Sequence, residues 1–115
     1  MKTSVVRSMR FEAAHHLPWH PGACSRVHGH SYSLEVSVSG DLDERGVVLD
    51  FDDLGAVLDT EVSERFDHRD LNGVLDNPTA ERIAQQIWAL LEPVVPGLDR
   101  LRLWETPDSS VVIQR

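Results

Sequence analysis

Hydrophobic and polar residues alternate along two stretches of the chain, which is the pattern of strands that bury one face. The first stretch runs from Thr3 to Ala14 and the second from Ser31 to Gly40. After a polar turn, an extended apolar run resumes at Val47–Leu49 and predicts a hairpin with the second strand. Two more strands are predicted near the C-terminus, at Leu98–Glu105 and Ser110–Gln114.

Between these pairs of strands, the apolar residues recur every three or four positions, as on one face of a helix. This spacing predicts a first helix over Asp52–Phe66 and a second over Ala80–Glu92. Thr79 has a side chain suited to cap the second helix at its N-terminus. The apolar faces of the two helices consist of Leu54, Val57, Leu58, Val62 and Phe66, and of Ile83, Ala84, Ile87, Trp88 and Leu91.

The order of these elements predicts a single α+β domain over residues 1–115. Apart from the short Val47–Leu49 run, four strands would form an antiparallel sheet in a ββααββ order, with the two helices inserted between the second and third strands and packed on one face. The outer strands would have open edges, and ring-like association between subunits would cover them.

Charge and hydropathy argue against nucleic acids and membranes as partners of the chain. The formal net charge of −8 argues against a nucleic-acid or anionic-membrane partner, because both require basic patches. No apolar run approaches the roughly 18 residues of a membrane span. The N-terminus lacks the apolar segment of a secretory signal, so a cytoplasmic location is expected.

Histidines at alternating positions supply the first candidate chemistry. His28 and His30 enter the second strand two residues apart, so their imidazoles project to the same side. His15 shares the parity of the apolar residues of the first strand and is the candidate third ligand, whereas His16 points to the opposite face. Three imidazoles hold a tetrahedral zinc with one open position, as in catalytic sites. His16 and His20 are expected to be surface or loop residues.

Cys24 lies four residues before His28 and is the only cysteine of the chain, so it forms no internal disulfide. An isolated cysteine among histidines is a candidate nucleophile, base or metal ligand. The alternative is a buried cysteine that packs as a small hydrophobic residue, which is the commoner case.

Two carboxylates are further candidates. Asp67 directly precedes His68 between the predicted helices, where it could orient the imidazole for proton transfer. Polar groups are also expected in such a loop without any catalytic role. Glu105 closes an apolar strand and is either a solvated strand end or a ligand anchor.

Six short motifs occur in an order that is typical of one known family. They are F-E-A-A-H (Phe11–His15), C-x-x-x-H-G-H (Cys24–His30), V-L-D-F (Val48–Phe51), D-H-x-x-L-N (Asp67–Asn72), N-P-T-x-E (Asn77–Glu81) and E-T (Glu105–Thr106). By these motifs the chain resembles the 6-pyruvoyl-tetrahydropterin synthase superfamily over nearly its whole length. It looks closest to the bacterial branch, the 6-carboxytetrahydropterin synthases of queuosine biosynthesis.

The resemblance implies a tunnelling fold, in which three subunits close their sheets into a barrel and two such rings stack as a hexamer. It implies 7,8-dihydroneopterin triphosphate as the substrate. The implied products are 6-carboxy-5,6,7,8-tetrahydropterin, acetaldehyde and triphosphate.

The resemblance also implies a role for each matched residue. The matched zinc ligands are His15, His28 and His30. Cys24 matches the catalytic thiolate base, and Asp67 with His68 matches a dyad that reaches the site from a neighbouring subunit. Glu105 matches the residue that binds the pterin ring.

Other functions in and outside the family stay open. The pyruvoyl-forming enzymes use the same zinc, thiol and dyad but eliminate triphosphate without losing carbon. A third member type, which cleaves the side chain to an aldehyde pterin, typically has glutamate in place of the cysteine, so Cys24 counts against it. A non-catalytic zinc- or pterin-binding module would not need Cys24 or the dyad.

Some positions depart from the pattern of the family. They are His16, Arg69-Asp70 after the dyad, and Pro107–Ser110 after Glu105. None is a matched catalytic residue, but the last segment is expected to alter the substrate pocket. The candidate cations for the triphosphate are Lys2, Arg26 and Arg69.

Overall fold

The computed structural model describes all of residues 1–115, and its core is a five-stranded sheet in the order β3-β1-β2-β4-β5. The strands are β1 (Ser4–His15), β2 (His28–Ser39), β3 (Arg69–Asp70), β4 (Leu98–Thr106) and β5 (Ser109–Gln114). The helices are α1 (Phe51–Leu58), which continues through a π-helical turn (Asp59–Ser63) into α2 (Glu64–Phe66), and α3 (Ala80–Leu91). None of these helices combines the length and the hydrophobicity that a membrane span requires.

The predicted α+β class is confirmed, with one more strand than expected. The four long strands pair with antiparallel neighbours, as predicted. The fifth strand, β3, pairs in parallel with Ala13 and Ala14 of β1. It has only two residues, which is too short for any periodic pattern to predict it.

The helices cover one face of the sheet and form the core with it. Of the alternating apolar residues of β1, Phe11 and Ala13 are buried and Val5 and Met9 are partly buried. Those of β2 are all buried: Tyr32, Leu34, Val36 and Val38. Phe11 stacks on Tyr32 with ring centroids 4.9 Å apart. The buried helical residues that meet them include Leu54, Leu58, Val62, Phe66, Ile83, Ala84, Ile87 and Leu91. Because His15 follows the same parity, it ends β1 on the buried face.

The predicted hairpin strand at Val47–Leu49 is wrong. Both edges of β2 are already occupied, by β1 and by β4, so no edge is left for a further partner. The segment closes on itself instead: Asp43 N–H donates to the Val47 carbonyl, 2.9 Å away, and the Asp43 carboxylate accepts from the amides of Arg45 and Val47. Val48 and Leu49 still pack against the core, which accounts for their apolar character.

Side chains cap both predicted helices. The Thr79 hydroxyl accepts from the Arg82 amide at 3.1 Å, which confirms the predicted cap of α3. The Asp50 carboxylate accepts from the Asp52 amide at 2.7 Å and starts α1. These bonds satisfy helix N–H groups that have no partner within the helix.

Both edges of the sheet are largely open. On one side, β1 pairs with β3 only at Ala13 and Ala14, so residues 4–12 have no strand beside them there. On the other side, the outer edge of β5 has no partner strand. A single subunit therefore has two unpaired edges of the kind that proteins normally cover.

Candidate metal centre and active site

Three histidines converge where β1 ends and β2 begins. His15 lies directly opposite His28 in the register of the two strands, and His30 is the next inward-facing residue of β2. One ring nitrogen from each histidine lies within 4.8 Å of those of the other two. The prediction that these three side chains share one face is confirmed, and together they form a potential metal site.

Main-chain carbonyls fix the ring orientation of two of these histidines. His15 Nδ1 lies 2.8 Å from the Pro78 carbonyl oxygen, and His28 Nδ1 lies 2.7 Å from that of Arg26. A carbonyl can only accept, so each Nδ1 carries the hydrogen and each neutral ring has its Nε2 lone pair free. Metal-binding histidines are commonly oriented by such a bond from the second nitrogen.

The free nitrogens have the surroundings of metal ligands. Nε2 of His15 and Nε2 of His30 are buried and make no hydrogen bond of regular geometry. A buried nitrogen without a partner is costly, and a bound cation would remove that cost. The donor set of three imidazoles therefore fits a metal ion of the kind that histidine binds.

Glu105, near the end of β4, approaches the same nitrogens. Its Oε1 lies 3.2 Å from His15 Nε2 and 3.4 Å from His30 Nε2. The interaction with His15, together with the nearby histidine charges, holds the pKa of Glu105 below its usual value in spite of burial. The side chain of Glu105 is 28% exposed and that of His15 only 1%, so the carboxylate lies on the accessible side of the cluster.

The pKa values of His15 and His30 move in opposite directions. Burial lowers the pKa of His15, but Glu105 and the Pro78 carbonyl outweigh burial and raise it overall. Burial also lowers the pKa of His30, where the charges of His15 and His28 add to the effect and Glu105 offsets only part of it. The lowered pKa favours neutral imidazole, the ligand form, at His30, whereas the raised pKa favours the protonated form at His15.

Cys24 is not one of the clustered potential metal ligands. It is partly exposed in a short 3₁₀ turn, Ala23–Ser25, of the connection between β1 and β2. The Leu17 amide donates to the Cys24 carbonyl at 2.8 Å, which brings the turn back to the end of β1. The group of potential metal ligands consists of the three histidines without the thiol. This arrangement leaves the thiol free for a role other than metal binding.

Asp67 and His68 form a hydrogen-bonded pair at the outer edge of β1. Asp67 Oδ2 lies 2.9 Å from His68 Nδ1, and Asp67 Oδ1 accepts from the Glu12 amide at 2.8 Å. The Glu12 amide and then His68 hold the pKa of Asp67 below its usual value. The imidazole of His68 is 80% exposed, and it lines a surface groove of about 520 Å³ that His30 also borders. Its backbone is left-handed, with φ of 57°, which a residue other than glycine adopts only when its surroundings hold it.

The other candidates lie outside the cluster. The main chain of His16 is bound by the side chain of Asn72, and His20 Nδ1 accepts from the Gly22 amide within its own loop. Lys2 pairs with Asp99 at 2.7 Å, beyond the start of β1, whereas the histidines lie at the other end of that strand. Lys2 is therefore not placed to bind a ligand at the histidine cluster.

Sequence reasoning missed several groups that support the site. The carbonyls of Pro78 and Arg26 could not be predicted as partners of His15 and His28, because every residue has a main-chain carbonyl. Tyr32 looked like an ordinary core residue, yet its hydroxyl lies 3.5 Å from His15 Nδ1, and burial raises its pKa well above the usual value. The phenol stays neutral beneath the histidines.

The fold and the site together define an α+β protein with a cluster of three histidines, able to hold a metal ion, at one end of its sheet. The model of the family described as 6-pyruvoyl tetrahydropterin synthase matches residues 4–115. The chain therefore belongs to the 6-pyruvoyl tetrahydropterin synthase family.

Individual relatives agree with this assignment. The chain is 43% identical to a 6-carboxy-5,6,7,8-tetrahydropterin synthase of Synechocystis, over 92% of this chain and 88% of that protein. It is 39% identical to a dihydroneopterin monophosphate aldolase of Pyrococcus furiosus, over 99% of both. A solved 6-pyruvoyl tetrahydropterin synthase of Caenorhabditis elegans superposes with a TM-score of 0.88 at 24% identity, covering 100% of this chain and 96% of that one. The prediction of an enzyme is confirmed.

Proposed function

We propose that the chain converts 7,8-dihydroneopterin triphosphate to 6-carboxy-5,6,7,8-tetrahydropterin, acetaldehyde and triphosphate, with zinc as the cofactor. The observation that carries the proposal is the convergence of three imidazoles, with two of their Nδ1 atoms bound to carbonyls and a carboxylate beside them. The proposed product would serve queuosine and other 7-deazapurine biosynthesis, in the cytoplasm.

In this proposal His15, His28 and His30 hold the zinc through their Nε2 atoms. Three neutral nitrogen ligands leave one coordination position for a substrate. Zinc there supplies a Lewis acid that eases proton abstraction and carbon–carbon cleavage.

Glu105 is the proposed pterin anchor. A carboxylate accepts two parallel N–H bonds, which suits the adjacent ring and amino donors at the edge of a pterin. Its side chain is 28% exposed at the mouth of the histidine cluster, where a ligand could reach the carboxylate. A pterin bound there would place its side chain over the histidines.

Cys24 is the proposed base, and His68 the proposed partner that returns a proton. The thiol is partly exposed and outside the ligand set, so it is free to take a proton from the substrate. Asp67 accepts the Nδ1 hydrogen of His68 and so leaves Nε2 of His68 to exchange protons with the substrate.

Two relatives define the competing reactions. The Pyrococcus furiosus protein, 39% identical, is named for aldol cleavage of dihydroneopterin monophosphate, and the Caenorhabditis elegans protein for pyruvoyl formation. The aldolase is the second candidate function, because that relative matches 99% of this chain. The reactions differ in substrate or in product, so one assay separates them.

The first experiment is incubation of the zinc-loaded chain with dihydroneopterin triphosphate, and separately with the monophosphate, followed by mass analysis of the products. We expect 6-carboxytetrahydropterin and acetaldehyde from the triphosphate and little conversion of the monophosphate. A pyruvoyl pterin, or preferential cleavage of the monophosphate, would reassign the activity. No turnover of either would favour a binding module.

We further propose that the active form is a homo-oligomer, a trimer or a hexamer, with sites shared between subunits. Two observations support this. Each subunit has open strand edges on both sides of its sheet, which a ring of subunits would pair. The imidazole of His68 is 80% exposed at one of these edges, so a neighbouring subunit could receive it.

Mixing two inactive variants tests the shared site. We expect Cys24→Ala and His68→Ala to be nearly inactive alone. After co-refolding in equal amounts they should recover up to about a quarter of wild-type activity, because random assembly places an intact Cys24 beside an intact His68 in that share of sites. If mixed oligomers form without any recovery, Cys24 and His68 of one site belong to the same chain.

A further inference from the structure

The segment that carries the Asp67–His68 pair runs along the open edge of β1 and is attached to it at successive points. The His68 amide donates to the Glu12 carbonyl at 2.6 Å, and the Asp67 carboxylate accepts from the Glu12 amide. The next two residues form β3, which pairs with Ala13 and Ala14. Residues 67–70 are thus in register with the strand that ends at His15.

Asn72 extends this attachment past the end of β3. There the chain turns into a 3₁₀ helix, Leu71–Gly73, and its main chain leaves the strand. The side-chain amide of Asn72 continues the pairing with the chain after β1. The His16 amide donates to Asn72 Oδ1 at 2.8 Å, and Asn72 Nδ2 donates to the His16 carbonyl at 2.9 Å. A primary amide has the donor and acceptor of a peptide group, so it replaces the missing strand residue.

The two bonds hold the residue that directly follows His15. They are partly buried, so water competes with them less than at an exposed site. They also join the chain just after His15 to the chain just after the Asp67–His68 pair. Leu71, beside Asn72, is fully buried and anchors the 3₁₀ turn in the core.

We infer that Asn72 is a positioning residue that sets the main chain at His15 relative to the Asp67–His68 pair, and that it thereby determines metal affinity and proton transfer together. The inference rests on the proposed function, in which His15 binds zinc. The Asn72 side chain bonds to the His16 main chain rather than to a histidine ring, and Asn72 does not line the groove that His68 borders.

The test compares Asn72→Ala with Asn77→Ala. Asn77 is a matched control, because its side chain also joins the segment before α3 to the connection between β1 and β2. It accepts from the Trp19 indole, however, and not from the main chain. Loss of a group that orients a metal ligand typically costs about 10–100-fold in metal affinity. We expect zinc affinity, measured by chelator competition well below the unfolding temperature, to fall by that factor in Asn72→Ala and by less than about threefold in Asn77→Ala.

Kinetics and a second variant complete the test. In Asn72→Ala saturated with zinc, kcat should fall while KM changes little, because the Asp67–His68 pair is displaced relative to His15 but Glu105 is not. If that variant fails to fold, Asn72→Asp is the alternative. It keeps the acceptor for the His16 amide but places a second carboxylate oxygen against the His16 carbonyl, which also only accepts. The same loss of zinc affinity is expected. Wild-type zinc affinity in a folded variant would overturn the inference. Failure of the wild-type chain to bind zinc would instead overturn the proposed function.

Discussion

Replacing His28 by alanine is expected to abolish both zinc binding and turnover. His28 supplies one of three convergent ring nitrogens. Because its Nδ1 is bound to the Arg26 carbonyl, Nε2 is the atom left for a metal. Removing a ligand should cost more than the roughly 10–100-fold that loss of an outer partner costs. The measurements are zinc affinity by chelator competition and product formation by mass analysis. His28 is partly exposed, so the core should stay packed.

The matched control for this result is His20→Ala. His20 lies in the connection between β1 and β2, and its ring accepts only from the Gly22 amide. Its loss should leave zinc affinity and turnover close to wild type. If His28→Ala still bound zinc as tightly as the wild-type chain, the three-histidine site would have to be abandoned.

Cys24→Ala is expected to lower kcat by about 10²–10⁴-fold, the usual contribution of a general base. Zinc affinity should stay unchanged, because the thiol lies outside the group of potential ligands. This combination separates a base from a metal ligand, whose loss would lower both quantities. The measurements are steady-state kinetics with dihydroneopterin triphosphate and chelator competition on the same preparation.

Cys24→Ser is the companion variant. A hydroxyl has nearly the size of the thiol but is a far weaker acid, so a base role predicts that serine does not rescue kcat. If either variant turned over the substrate at the wild-type rate, the thiolate mechanism would be refuted. Because Cys24 sits in a partly exposed turn, neither change should unfold the chain.

The sequence predicted the parts of the site that depend on strand periodicity. Alternation placed His15 on the buried face, selected it over His16, and put His28 and His30 on the same side. The predicted second strand began at Ser31, three residues late, because Gly29 interrupts the alternation. Alternation within each strand was sufficient for these predictions, because successive side chains of a strand point to opposite faces of the sheet.

The features that depend on pairing between distant segments of the chain could not be predicted from periodicity. Val47–Leu49 has the composition of a strand, but β4, some fifty residues later, takes the edge of β2 that it would need. The approach of Glu105 to the histidines follows from the same pairing, which brings the end of β4 beside β2. Only the ordered set of motifs, and not the spacing of any one of them, indicated that Glu105 belongs to this site.

The adjacent histidines at the end of β1 have a consequence for folding fidelity. A shift of β1 by one residue against β2 would turn His16 toward the cluster in place of His15, so a metal ion alone would not reject the misaligned chain. The same shift would bury Arg10 and Glu12 in place of Phe11 and Ala13, which are 1% and 7% exposed. The register of β1 against β2 is therefore set by the burial of Phe11 and Ala13 and not by the metal ligands.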